Sequence, residues 1–173
     1  MISIAPIGEV NPFIVEILKD SIKEAFREKV KEREGVPVPL ASYNSQRRQY
    51  CSTKILHSLQ SLKREKKEIL LAVTDVDLYV PSLNFVFGEA DPYNKMAIIS
   101  LIRLKREFYN LPGDEELFRE RTVKEAIHEL GHVWGLGHCT DKKCVMHFSN
   151  SLADTDIKSA KFCSDCEKSA AIK

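Results

Sequence analysis

His128-Glu-Leu-Gly-His-Val-Trp-Gly-Leu-Gly-His138 gathers three imidazoles and one carboxylate within eleven residues. On a helix, His128 and His132 lie one turn apart, about 6 Å along the axis and on one face, so both rings can reach a single metal ion. Glu129 is adjacent but points on a different heading, where it can touch a water on the metal without being a ligand. A third ligand requires the chain to turn back. Gly135 and Gly137 permit this, because glycine takes positive φ at little cost. His138 then completes a three-nitrogen site with one position open, the arrangement of catalytic rather than structural zinc.

The alternative is an inert amphipathic helix with ordinary surface or core histidines. Two features oppose it. Three of the five histidines of the chain fall in this one segment. Gly131 also interrupts the helix at a cost of about 1 kcal/mol relative to alanine, which implies that something packs closely there.

At 173 residues the chain is long enough for one domain with a sizeable core. We expect a single unit over residues 1–173. Its larger part, 1–137, holds a sheet and the active-site helix, and its smaller part is 138–173. The net charge of +1 gives no electrostatic case for nucleic acid or a membrane surface, and no apolar run is long enough to span a bilayer. Met1 to Gly8 lacks the basic start and apolar core of a signal peptide, and no pro-segment is apparent upstream of the site. The expected location is therefore the cytoplasm, and the expected state is a monomer.

Ile2 to Ile7 suits a strand. Pro12 opens a helix carrying Phe13, Ile14, Ile17, Leu18, Ile22, Ala25 and Phe26 at helical spacing, its basic end followed by Gly35. Val36 to Ala41 is extended, since each proline biases its predecessor toward β, and Tyr43 to Cys51 reads as a polar loop. Ser52 or Thr53 caps a second helix with Ile55, Leu56, Leu59 and Leu62. Glu68 to Thr74 and Lys95 to Leu104 are continuous apolar runs, suited to strands covered on both faces. Asn84 to Ala90 is a shorter strand. Asp114 starts a helix running through Trp134, although Thr122 with Glu125 offers a capping box for a later start. The tail carries cysteine-rich turns and one short helix around Asp156 to Lys168. This order predicts an α/β or α+β fold with a mixed, mostly parallel twisted sheet, flanking helices and an irregular C-terminal part.

Cys139, Cys144, Cys163 and Cys166 form two close pairs. Thiolates at this spacing suit a closed tetrahedral zinc site, structural because it leaves no open position. Such a metal would staple a tail with little core of its own and, through the adjacency of His138 and Cys139, fix the loop that presents the third histidine. Two disulfides are the alternative, and they need an oxidising compartment. Cys51 is left over as a buried free thiol.

The eleven-residue motif resembles the metzincin metallopeptidases, whose H-E-x-x-H-x-x-G-x-x-H is followed by a methionine turn. Cys139, Cys144, Met146 and the Cys163–Cys166 pair narrow the resemblance to the archaemetzincins. The sixteen residues between Met146 and Cys163 are one fewer than in the family pattern. The resemblance implies that Met146 is the apolar floor beneath the zinc histidines, although an ordinary core methionine would be buried as well. It implies two zinc ions per chain, one catalytic and one structural, and a peptide or protein substrate extended along the edge strand Asn84 to Ala90. Phe148 stands where some metzincins carry a tyrosine, so no phenol is expected from that position. His147 reads as either a support to the site or a surface residue.

The expected chemistry is peptide hydrolysis by zinc-activated water, with Glu129 as general base and then general acid. The oxyanion donor stays open. Tyr50 and Arg48 are candidates, but their polar loop reads as solvated. The competing function is a non-catalytic zinc protein that binds extended peptides, and a redox or zinc-relay role for the cysteines is a third. The intact Glu129 favours hydrolysis.

Overall fold

The computed structural model describes residues 1–63, 65 and 67–170. Residues 171–173, the end of the expected unit, lie outside the described residues. In chain order the elements are β1 (Ile2–Ile7), α1 (Pro12–Phe26), β2 (Val30–Glu32), β3 (Tyr43–Asn44), β4 (Gln49–Cys51), α2 (Ser52–Leu59), β5 (Ile69–Thr74), β6 (Leu78–Tyr79), β7 (Gly88–Asp91), β8 (Met96–Ser100), α3 (Glu115–Val133), α4 (Leu152–Ile157) and α5 (Ser164–Ser169).

A five-stranded sheet of order β2-β1-β5-β8-β7 organises the molecule, and only β7 runs antiparallel to its neighbour. The expected mixed, mostly parallel sheet is what forms. Its three central strands are largely apolar on both faces. Ile2, Ile4, Leu71, Val73, Ala97 and Ile99 face a core completed by α1 and α3, whereas Ala5, Ile7, Leu70, Ala72, Met96 and Ile98 face α2. Helices on both sides explain why β5 and β8 read as unbroken apolar runs.

The helix termini follow local chemistry. Asn11 accepts from the Phe13 amide at 3.0 Å ahead of Pro12, and Asp114 accepts from the Leu117 amide at 3.0 Å. The start of α3 is therefore the earlier one. Thr122 lies mid-helix and donates back to the Phe118 carbonyl at 2.8 Å, so it caps nothing.

Several local expectations are corrected. α1 stops at Phe26, with Arg27 left-handed at φ 53, because Val30–Glu32 leaves to pair with the free edge of β1. Neither Ser52 nor Thr53 caps α2. Both are helical, and their hydroxyls donate to Glu89, whose carboxylate sits at the helix N-terminus, where the helix dipole favours a negative charge. The segment read as a loop, Tyr43 to Cys51, contains β3 and β4, which join β6 in a second sheet. The strand expected over Asn84 to Ala90 starts only at Gly88. The strand expected from Lys95 to Leu104 ends at Ser100, and a 3-10 turn covers Ile102–Leu104. The tail holds two short helices rather than one, because residues 159–161 break away to pair with 143–145.

Gly131 meets the close packing its position implied. A Cβ there would overlap Met146 Sδ and lie 3.2 Å from Phe162 Cε1, and Met146 is fully buried. Gly131→Ala should therefore lower stability. The helix-propensity gain of about 1 kcal/mol is outweighed by an overpacking cost of about 1–3 kcal/mol. Urea unfolding checks this, and a variant more stable than the parent would contradict the packing described.

Candidate active site

α3 delivers His128 and His132 to one face, their rings 4.6 Å apart at centroids. The helix then closes on Gly135, left-handed at φ 86, with the Leu136 amide donating to the Gly131 carbonyl at 3.0 Å. This turn swings His138 back, 5.5 Å from the His128 ring and 4.9 Å from the His132 ring. Gly137 is not left-handed, and a Cβ there would meet nothing within 4 Å. The reversal thus rests on Gly135 alone, contrary to the expectation that both glycines serve it.

Backbone carbonyls orient two of the rings. His128 Nδ1 donates to Val145 O at 2.8 Å and His132 Nδ1 to Leu136 O at 2.8 Å. A carbonyl can only accept, so each Nδ1 carries the proton and each Nε2 presents a lone pair. Those two Nε2 atoms stand 3.1 Å apart. Neutral lone pairs facing each other repel unless a cation lies between them. Tetrahedral zinc with bonds of 2.0–2.1 Å separates its nitrogen ligands by about 3.3 Å, so the pair fits zinc. All three histidines offer ligand atoms within 4.8 Å of one another.

The electrostatics agree. Burial, reinforced by the Lys158 cation, pushes His128 down to about 2. Burial likewise lowers His132 and His138. At neutral pH the rings are therefore uncharged, as a metal ligand requires.

Glu129 is buried beside them. Burial, and then the Glu125 carboxylate, raise its proton affinity well above the carboxylate range, while Lys158 opposes this. Its side chain passes beneath β7 at Gly88. A Cβ there would lie 2.6 Å from Glu129 Cγ and 2.7 Å from Ile98 O. Sequence reasoning missed Gly88 as a determinant of the site, because only the fold brings the edge strand over α3.

Cys139, Cys144, Cys163 and Cys166 form the second group, their sulfurs within 4.8 Å of one another. Cys139 Sγ and Cys163 Sγ are 3.8 Å apart. Tetrahedral zinc with bonds of 2.3 Å gives a sulfur spacing of about 3.8 Å, whereas a disulfide requires about 2.05 Å. Burial pushes the Cys144 and Cys166 thiols up, and the Cys166 backbone holds Cys163 down. A cation among them is what would offset the cost of thiolate charge. Cys51 is a buried free thiol, as expected.

One turn links the two groups. The Cys139 amide donates to Met146 O at 2.9 Å, and His147 Nδ1 bonds the Cys139 carbonyl at 2.9 Å. His147 is therefore a support of this loop rather than a surface residue. Phe148 lies against His138, 4.7 Å between centroids. Tyr50 packs on Tyr43 at 4.9 Å in the second sheet, and Arg48 is exposed at its hairpin turn, so neither contact recommends them as oxyanion donors.

Three converging imidazoles, two on α3 and one on the turn after it, a buried carboxylate beside them and a four-sulfur cluster on this fold fit the centre of a metal-dependent hydrolase. Comparison with known proteins agrees. The profile of peptidase family M54 matches residues 13–171. The archaemetzincin of Methanocaldococcus jannaschii is 46% identical over 167 residues, covering 96% of this chain and 90% of that protein. The crystal structure of the Archaeoglobus fulgidus archaemetzincin, complexed with malonate, matches with a TM-score of 0.84 and 41% identity, covering 98% and 99% of the two chains. A zinc-dependent peptidase from Methanocorpusculum labreanum matches with a TM-score of 0.90 and 28% identity, covering 98% and 100%. The chain belongs to peptidase family M54, the archaemetzincins, and is a zinc metallopeptidase.

The depressed His128 predicts an acid sensitivity of the metal-free protein. The unfolded chain binds a proton at His128 below its ordinary 6.5 and the folded chain does so only near 2, so stability should fall as pH drops through that interval. Thermal unfolding of metal-free protein between pH 7.5 and 5 should show this slope, and His128→Asn should reduce it. An equal slope in the variant would count against the assignment.

Proposed function

We propose that the protein cleaves peptide bonds using zinc held by His128, His132 and His138, with Glu129 as the proton carrier. A second zinc, held by Cys139, Cys144, Cys163 and Cys166, keeps the loop after His138 in place. The observation that carries this reading is the approach of two lone-pair nitrogens to 3.1 Å beside a buried carboxylate.

Zinc bound there supplies Lewis acidity and brings a water's pKa toward about 7. The protein's own groups do the rest. The Val145 and Leu136 carbonyls hold the imidazoles in the tautomer that ligates. Glu129, with its raised proton affinity, accepts a proton from the attacking water, keeps it in a buried position and returns it to the leaving amine. Gly88 leaves the room in which that carboxylate moves. Met146, packed beneath Gly131, gives the histidines an apolar floor. The outer side of β7, at the edge of the sheet, offers backbone groups to an extended peptide by strand addition.

Hydrolysis is favoured over peptide binding alone, since a binding site has no use for a buried carboxylate one residue from a ligand. We place the protein in the cytoplasm as a monomer. A four-thiolate zinc site and a free Cys51 suit a reducing compartment, and among the described residues no helix is long and apolar enough to cross a membrane. The net charge of +1 supports peptides rather than nucleic acid as partners.

Glu129→Ala tests the assignment. The variant should keep two zinc ions per chain by elemental analysis, while turnover of a peptide library falls by about 10²–10⁴. Unchanged turnover would remove Glu129 from the mechanism, and loss of one zinc would make it a ligand instead.

A further inference from the structure

A buried ion pair lies behind the active site, and the mechanism above does not use it. Lys158 is 1% exposed and heads the fully buried side chains by volume. Its Nζ stands 2.9 Å from Glu125 Oε1, a buried ion pair. Glu125, 3% exposed, sits on α3 one turn before His128, and Thr155 Oγ1 donates to the same carboxylate oxygen at 3.2 Å. Such pairs are weak sources of stability, because desolvation offsets their attraction. This one therefore invites a reason other than stability.

The backbone supplies it. Lys158 leaves α4 extended, with φ −71 and ψ 153. The residues after it pair with the segment leading to Met146. Ser159 N donates to Lys143 O at 2.9 Å, and Val145 N donates to Lys161 O at 2.9 Å. Ser159 Oγ reinforces the pairing by donating to Lys143 O at 2.8 Å. Val145 O in turn accepts from His128 Nδ1 at 2.8 Å. The path leaves α3 at Glu125, runs through Lys158 and two paired segments, and returns to the same helix at His128. α4 has its own anchor, because Arg121 holds Asp156 through two bonds of 2.7 Å. Loss of Lys158 would therefore loosen the later part of the path without detaching α4.

We propose that Lys158 is a positioning residue: paired with Glu125, it holds residues 159–161 against α3 and so aims the Val145 carbonyl at His128, setting the orientation of that ring. The proposal rests on the metal-site reading above for its consequence, but its first readout is independent of metal. In ¹⁵N-labelled, metal-free protein, the His128 Nδ1–H resonance reports the bond to Val145. His132 Nδ1–H, bonded to Leu136 O, serves as an internal reference.

Lys158→Met should move or broaden the His128 signal and leave His132 unchanged. With zinc, affinity at the histidine site should fall about 10-fold, as when an outer partner of a metal ligand is removed. The four-cysteine zinc should stay, and kcat should drop with KM within about twofold of the parent. Arg33→Met, which breaks a buried ion pair with Glu68 elsewhere in the fold, is the control for general destabilisation and should leave the His128 signal in place. The double variant Glu125→Gln, Lys158→Met leaves no lone buried charge. It should recover melting temperature without recovering the signal, and it replaces the single variant if that one does not fold. An unmoved His128 signal in these variants, an equal change in Arg33→Met, or full recovery in the double variant would overturn the proposal. A His128 response in a chain whose histidines take up no zinc would instead sink the metal-site reading and leave the positioning role standing.

Discussion

Two imidazole nitrogens face each other across 3.1 Å, a spacing that suits a shared cation, and much of the molecule is arranged to keep them there. The carbonyls of Val145 and Leu136 remove the tautomeric freedom of the rings. Burial removes their charge. The left-handed turn at Gly135 brings the third ring to the same point. None of these groups alone distinguishes a metal site from an ordinary helix end. Their agreement is what the proposed zinc would account for, because each would be a cost without an ion.

The rest of the fold serves this point from two directions. From above, the edge strand β7 passes so close to α3 that only glycine fits over Glu129. From below, the chain after His138 returns through the four-cysteine turn, the Met146 floor and the segment ending at Cys166. The histidine and cysteine clusters share one short stretch, because Cys139 follows His138 directly and bonds backbone to backbone with Met146. Zinc on the sulfurs, as proposed, would therefore restrain the histidines at the other end of this stretch. The central strands contribute rigidity: β1, β5 and β8 are buried on both faces, and they hold α3 against a surface that cannot easily yield.

The parts of this arrangement visible in the sequence were those governed by fixed spacing. His128, His132 and His138 repeat at intervals set by one helical turn and one glycine reversal, and the cysteine pairs at intervals set by a tetrahedron. The apolar runs of β5 and β8 declare burial on both sides. Gly131 announces a close neighbour, although only the structure shows it to be Met146. What stayed hidden depends on partners distant in the chain. β2, β3, β4 and β6 are two or three residues long, too short for alternation to register; β2 forms on the edge of β1, and β3, β4 and β6 form only by pairing with one another. Ser52 carries a capping residue's side chain, yet Glu89, from a strand far along the chain, takes over the helix terminus. The tail holds two helices where its sequence suggests one, because residues 159–161 are drawn off by pairing with 143–145. Gly88, Val145 and Lys158 have no local signature at all, since their roles arise from what the fold lays against them.

The most direct measurement is anomalous diffraction from crystals of the protein at the zinc edge. One peak should lie about 2.0–2.1 Å from Nε2 of each of His128, His132 and His138, and a second about 2.3 Å from four cysteine sulfurs. The first peak should have no fourth protein ligand, and Glu129 should stand beside its open side. A first peak capped by a side chain, or three histidine rings turned away from a common centre in a zinc-replete crystal, would contradict it.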